Sequence, residues 1–193
     1  MNRRHAVLAL PALLSACAGV KITQVANGEV VVRQRLAVSV NRPWNQFDRG
    51  PTDSLPTWTQ DGVLVDALRF YVGLKNGELI APTPSTPEGT KPLAFRSDMQ
   101  TSDIVSLFEG LYSRGGSTFA LDKVEPYAFA GQKGFRFEFS SIRKSDDVRL
   151  RGIAWGAVRD GELFMISYTA PRLAFFPRGG NDAEAVAKTA RIL

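Results

Sequence analysis

Residues 134–170, GFRFEFSSIRKSDDVRLRGIAWGAVRDGELFMISYTA, read as three consecutive antiparallel strands. Asp160-Gly161 is a strong two-residue hairpin signal, because a type I′ turn needs positive φ at both central positions. With that turn, Arg159 faces Glu162, Val158 faces Leu163, and the pairing runs on to Trp155–Ile166 and Ile153–Tyr168. The opening pair is of opposite charge, which suits cross-strand neighbours. The earlier turn, Lys144–Asp147, pairs Arg143 with Val148 and sets Phe139, Phe137 and Phe135 opposite Gly152, Ala154 and Gly156. Each large ring then meets a small partner, so facing side chains interdigitate. A one-residue slip would turn all three rings to the other face, so parity is strongly specified. The opposite face carries Arg136, Glu138, Ile153, Trp155, Phe164, Ile166 and Tyr168. Both faces are largely apolar, and a packed layer is expected on each.

At 193 residues and 44% hydrophobic content, the chain is long enough for one substantial core. Its N-terminus pairs a short basic segment, Asn2–His5, with a nine-residue apolar run, Ala6–Leu14, and then Leu14-Ser15-Ala16-Cys17. The run is too short to span a bilayer and has the flanks of a signal peptide. LSAC resembles the bacterial lipobox. The resemblance implies cleavage after Ala16, thioether lipidation of Cys17 and acylation of the new amino terminus. Ala18, in place of an aspartate at the position after the lipidated cysteine, implies the outer membrane. The expected organisation is a signal peptide over 1–16, a lipidated tether over 17–27 and a single periplasmic α+β domain over 28–193. Removing Arg3 and Arg4 leaves 22 basic against 19 acidic side chains, a net charge of +3. That mild balance, with export, argues against a nucleic-acid partner.

Along the rest of the chain, Glu29–Val40 should supply one or two strands and Val63–Leu74 another, with Asn76-Gly77 turning into Glu78–Ile80 as a hairpin. Residues 41–60 carry three prolines with Trp44, Phe47 and Trp58 among polar side chains, and read as a long loop. Residues 81–92 read as a Pro-rich surface excursion. Residues 101–112 form the clearest helix, capped at Thr101 or Ser102, with Ile104, Leu107, Phe108, Leu111 and Tyr112 in a stripe. Phe119–Tyr127 is a strand, Ala170–Arg178 a turn-rich link, and a small-sided helix from about Asp182 closes the chain behind Asn181 and Glu184.

The order of strands, helix, four-strand run and helix resembles the PsbP-like fold, an α/β/α sandwich built on an antiparallel sheet. That fold occurs in a photosystem oxygen-evolving accessory protein, in DcrB-type bacterial lipoproteins and in a nuclear-import Ran-binding factor. The matching features are GFRFEF, DGELFMISYTA and the closing helix with its ARIL tail, over roughly 100–193. They speak for fold and are silent on chemistry.

The only histidine is His5 and the only cysteine is Cys17, so the mature domain has neither imidazole nor free thiol. Ser-His-Asp and Cys-His nucleophiles, His-ligated zinc and disulfide redox chemistry are thereby excluded. Ser141-Ile142-Arg143-Lys144 matches the S-x-x-K pattern, but on a strand residues three apart point to opposite faces. Asp146-Asp147 reads as a solvated turn. No metal site or cofactor is expected. The resulting expectation is a non-enzymatic accessory or binding module, anchored to the bilayer by Cys17, with an envelope protein or anionic polymer as partner. Trp44, Phe47, Trp58, Arg136 and Trp155 are the expected contact residues. Arg136 should lie beside Trp155, and Arg149, Arg151 and Arg159 on one strand face. The alternative is a carboxylate-dependent hydrolase of envelope glycans using Asp61, Asp66 or Glu78.

Overall fold

The computed structural model describes residues 21–48, 55–81 and 92–193. Its strands are β1 (Lys21–Val25), β2 (Gly28–Val32), β3 (Leu36–Val40), β4 (Trp44–Asp48), β5 (Thr57–Thr59) and β6 (Ala67–Leu74). Helix α1 (Thr101–Tyr112) follows, then β7 (Thr118–Phe129), β8 (Gln132–Arg143), β9 (Val148–Arg159) and β10 (Glu162–Pro171). Helix α2 (Phe175–Lys188) and the short β11 (Arg191–Ile192) end the chain. Eight strands form one antiparallel sheet in the order β1-β4-β5-β6-β10-β9-β8-β7, and β11-β3-β2 form a second, smaller one. The signal peptide and Cys17, and all of the Pro-rich excursion except Ala81 and Pro92, lie outside the described residues.

The β8–β9–β10 register is the one read from the alternation of large and small residues. Phe135, Phe137 and Phe139 face Gly156, Ala154 and Gly152, and Arg159 opens the next hairpin opposite Glu162. Asp160 and Gly161 both have positive φ, 52° and 76°, as a type I′ turn requires. Fitting ring to gap is tight: a Cβ on Gly152 would run into the Phe139 ring.

Each face of the large sheet has its own core. On one, Ile104, Val105, Leu107 and Phe108 of α1 pack on the phenylalanine row and Tyr71. Phe108 meets Phe137 at 5.3 Å and Tyr71 at 5.5 Å between ring centroids. On the other, Gly179, Ala183, Val186 and Ala187 of α2 pack with the β2–β3 ribbon against Trp155, Ile166 and Tyr168. Small side chains let α2 approach closely: a Cβ on Gly179 would overlap the Tyr168 hydroxyl.

Several expectations are corrected. Lys21–Val25, placed in the tether, is a strand paired with β4 at the sheet edge. Residues 41–60, read as a loop, contain β4 and β5, because Trp44 and Trp58 alternate inward as strand residues do. The strand expected from Val63 begins at Ala67, since Val65 and Asp66 donate back to Gly62 in a turn. Beyond Asn76-Gly77 the chain does not return along β6; Glu78 and Ile80 bond instead to Phe95 and Leu93. Helix α1 starts from Gln100, whose N–H donates to the Asp103 carboxylate at 2.9 Å, so neither Thr101 nor Ser102 is the cap. Helix α2 begins at Phe175, taking in the expected link and its Pro177, a residue tolerated in a first turn.

Candidate functional site

Neither helix is wide enough to cover its side of the sheet. Eight strands span roughly 34 Å, against a helix about 10 Å across. On the α1 side the uncovered region lies beyond the C-terminal end of α1, and there the chain builds a cleft of about 260 Å³. Its floor comes from inward positions of four strands: Arg69 of β6, Thr169 of β10, Leu150 of β9 and Ser141 with Arg143 of β8. Arg114 and Ser117, just after α1, form one wall, and the 63–66 turn forms the other.

Three guanidinium groups thus converge on one space with the hydroxyl-bearing Tyr112, Ser117, Ser141 and Thr169. Arg69 donates to Thr169 Oγ1 at 3.1 Å, and among the described residues no carboxylate pairs with it. Arg143 holds the opposite wall in place, donating from Nη1 to the Leu64 carbonyl at 3.0 Å and from Nη2 to Asp146 at 2.7 Å. That hydrogen bond holds the Asp146 carboxyl below its usual range and raises Arg143. The one carboxylate in the lining, Asp66, is buried and committed: Thr59 Oγ1 donates to it, as do Gln60 N–H at 3.0 Å and Asp61 N–H at 2.8 Å. It fastens the 60–66 turn. Two residues along β6 from Arg69, in the core under α1, burial and then Tyr112 push the Tyr71 hydroxyl far above its ordinary value, so Tyr71 stays a neutral phenol. The cleft offers cationic and hydroxyl donors, an arrangement made to hold an anion.

A second, apolar groove of about 450 Å³ shares the 63–65 turn with the cleft. Ile22 and Phe47, register partners on β1 and β4, form its far side. Ile22 is 63% exposed and Leu64, at the lip between groove and cleft, 77%.

The residues expected to contact a partner do not come together. Trp44, Trp58 and Trp155 are fully buried on the α2 side. Trp44 packs edge-on against Tyr168 at 6.1 Å and Trp58 against Phe70 at 4.4 Å. As core rings they cannot form a binding edge, which corrects that expectation. Arg136 does lie opposite Trp155 in register, but its guanidinium is committed to Glu125 at 2.8 Å and Glu138 at 2.6 Å. Arg151 joins the same network through Glu138. Only Phe47 falls beside the cleft, half-buried in the groove. Arg69, Arg114 and Ser117 were not singled out by sequence. The available signal was Arg69 itself, a charge on the inward parity of ALRFYVGL, with Ala67 and Tyr71.

The candidate carboxylates are also apart. Asp61 pairs with Arg178, and Glu78 caps a turn by accepting from Lys75 N–H at 2.9 Å. Asp66 and Glu78 flank the eight residues of β6, which puts them roughly 25 Å apart.

No protein-family model and no curated protein matches the sequence. Among solved structures, the chain is similar to the cyanobacterial PsbP (CyanoP) of Synechocystis sp. PCC 6803, in solution. The two share 13% identity at a TM-score of 0.56, over 93% of this chain and 99% of that one. The likeness is one of fold: this is a PsbP-like α+β chain, a large antiparallel sheet carrying helices on its faces.

Proposed function

We propose that this protein is a membrane-anchored lipoprotein of a bacterial cell envelope, facing the periplasm from the outer membrane. In this reading it works as a non-enzymatic accessory or binding module. The observation that supports binding is the arginine cleft, where Arg69, Arg114 and Arg143 converge with four hydroxyl-bearing side chains on an open space. Binding an anionic group needs only such donors. Hydrolysis by carboxylates needs a pair about 5 to 9.5 Å apart across a substrate site, and Asp61, Asp66 and Glu78 are each engaged elsewhere.

Photo-crosslinkers placed at Leu64 and Ser117 in the native envelope test the reading. Capture of a discrete envelope component from both positions supports it. Turnover of cell-wall glycan that disappears in Asp61→Asn or Asp66→Asn would instead establish the hydrolase. The anchor has its own test: Cys17→Ala should leave the precursor unprocessed and out of the outer-membrane fraction. An unmodified N-terminus beyond Cys17 in the native protein would refute lipidation.

A further inference from the structure

We infer that the arginine cleft and the apolar groove beside it form one docking face for anionic phospholipid, the headgroup phosphate in the cleft and the Leu64 lip at the acyl boundary. This deepens the binding-module reading and rests on it for the anchor. Three features of the face agree. First, the cleft's charge balance favours an anion: three guanidinium groups line it against the single carboxylate of Asp66, itself held by three donors. A tetrahedral phosphate, with oxygens in several directions, uses donors arriving from the floor and from the Arg114–Ser117 wall. A planar carboxylate would engage one fork and leave the others idle.

Second, polar and apolar surfaces are joined as an amphiphile requires. The turn bearing Leu64 lines both the cleft and the groove, so a phosphate held at Arg69 and Arg143 has Leu64, Ile22 and Phe47 alongside it. Exposed apolar side chains beside cations suit a lipid interface, and Asp61, which also lines the groove, is paired with Arg178.

Third, the chain end lies at this face. Ile22 lines the groove, and Lys21, exposed, precedes it. Only residues 18–20 separate Lys21 from Cys17, and the four steps between the two reach at most about 14 Å. A lipid on Cys17 would therefore hold the β1 edge, which carries the groove, close to the bilayer. Asp146 competes: it occupies two nitrogens of Arg143, which a phosphate must share.

The test uses the mature chain from residue 18, unlipidated, which keeps every described strand and helix. Its co-sedimentation is compared on phosphatidylcholine vesicles and on equimolar phosphatidylcholine–phosphatidylglycerol vesicles. Binding should be selective for the anionic vesicles and fall with salt. Arg69→Gln should weaken it about fivefold, the worth of one basic side chain at an anionic surface. Leu64→Asp, which changes an exposed side chain and leaves the backbone bonds of the turn in place, should weaken it at least as much. Asp146→Asn should tighten it on the anionic vesicles alone, whereas a misfolded chain would pellet with both. Equal binding to both vesicles, or no loss in Leu64→Asp, overturns the proposal. So does soluble glycerol phosphate shifting the Arg69 and Thr169 amide resonances while vesicles do not bind, because the ligand is then a free phosphate ester. Because no acyl group is present, failure here leaves the Cys17 anchor standing, and loss of the anchor would leave the vesicle result standing.

Discussion

Trp44 and Trp58 show how one side chain's role turns on strand parity. Flanked by polar residues and prolines, both look like surface rings in the sequence, yet each sits on the inward parity of a short strand beneath the α2 layer. Trp44→Ala or Trp58→Ala should therefore cost about 3–5 kcal/mol, the range for emptying a core aromatic site. Chemical denaturation reads this directly, and an unchanged midpoint would return the rings to the surface. Glu138 carries a second residue-scale expectation. Burial alone would raise its carboxyl, but hydrogen bonds from Arg151 and Arg136 outweigh it and hold the group below the ordinary 4.5. A depressed folded value means the stabilisation is fully present above pH 4.5 and is lost as pH falls through the folded value. Glu138→Gln should lose less stability than the wild type between pH 6 and about pH 3 in urea titrations. Parallel pH profiles would show the network contributes nothing.

At the scale of elements, the β8–β9 pairing holds the molecule's centre. Its three rings fill the gaps left by Gly152, Ala154 and Gly156, and α1 then seals them. Gly152→Ala has no room to relax, because the added methyl meets the Phe139 ring in the middle of the sheet. It should cost about 1–3 kcal/mol, the usual penalty for overpacking. Pairing it with Phe139→Leu should recover part of the loss in a double-mutant cycle, whereas strictly additive losses would mean the two sites do not touch. The helices behave differently. Their apolar stripes were legible, but their starts were not: Gln100 caps α1 through Asp103, and α2 admits Pro177 in its first turn and Gly179 where it lies against Tyr168.

At the scale of the whole molecule, one sheet is shared by both cores, so neither face can melt alone. Phe108→Ala on the α1 side and Val186→Ala on the α2 side should each lower the midpoint of a single thermal transition. Two separable transitions would show the layers to be independent. The same architecture explains where the candidate site lies. One twelve-residue helix covers the middle of its face and leaves the β1-β4-β5 end open. The groove occupies that open end, and the cleft adjoins it past the C-terminal end of α1, over β6, β10, β9 and β8.

The sequence by itself determined the meander, its register and the two-sided sheet, because ring-to-glycine pairing and Asp160-Gly161 are local signals that allow one arrangement. Those residues also carried the resemblance to the fold the molecule has. It named the stripe of α1 and noticed Arg143 in a basic run. Only the tertiary structure decided that β1, β4 and β5 extend the sheet, since strands of three to five residues carry little periodicity. It alone brought together Arg69, Arg114 and Arg143, which are separated by 45 and 29 positions. Convergence of that kind comes from strand order, with β6 beside β10 and β10 beside β9, and strand order is settled by how the layers pack.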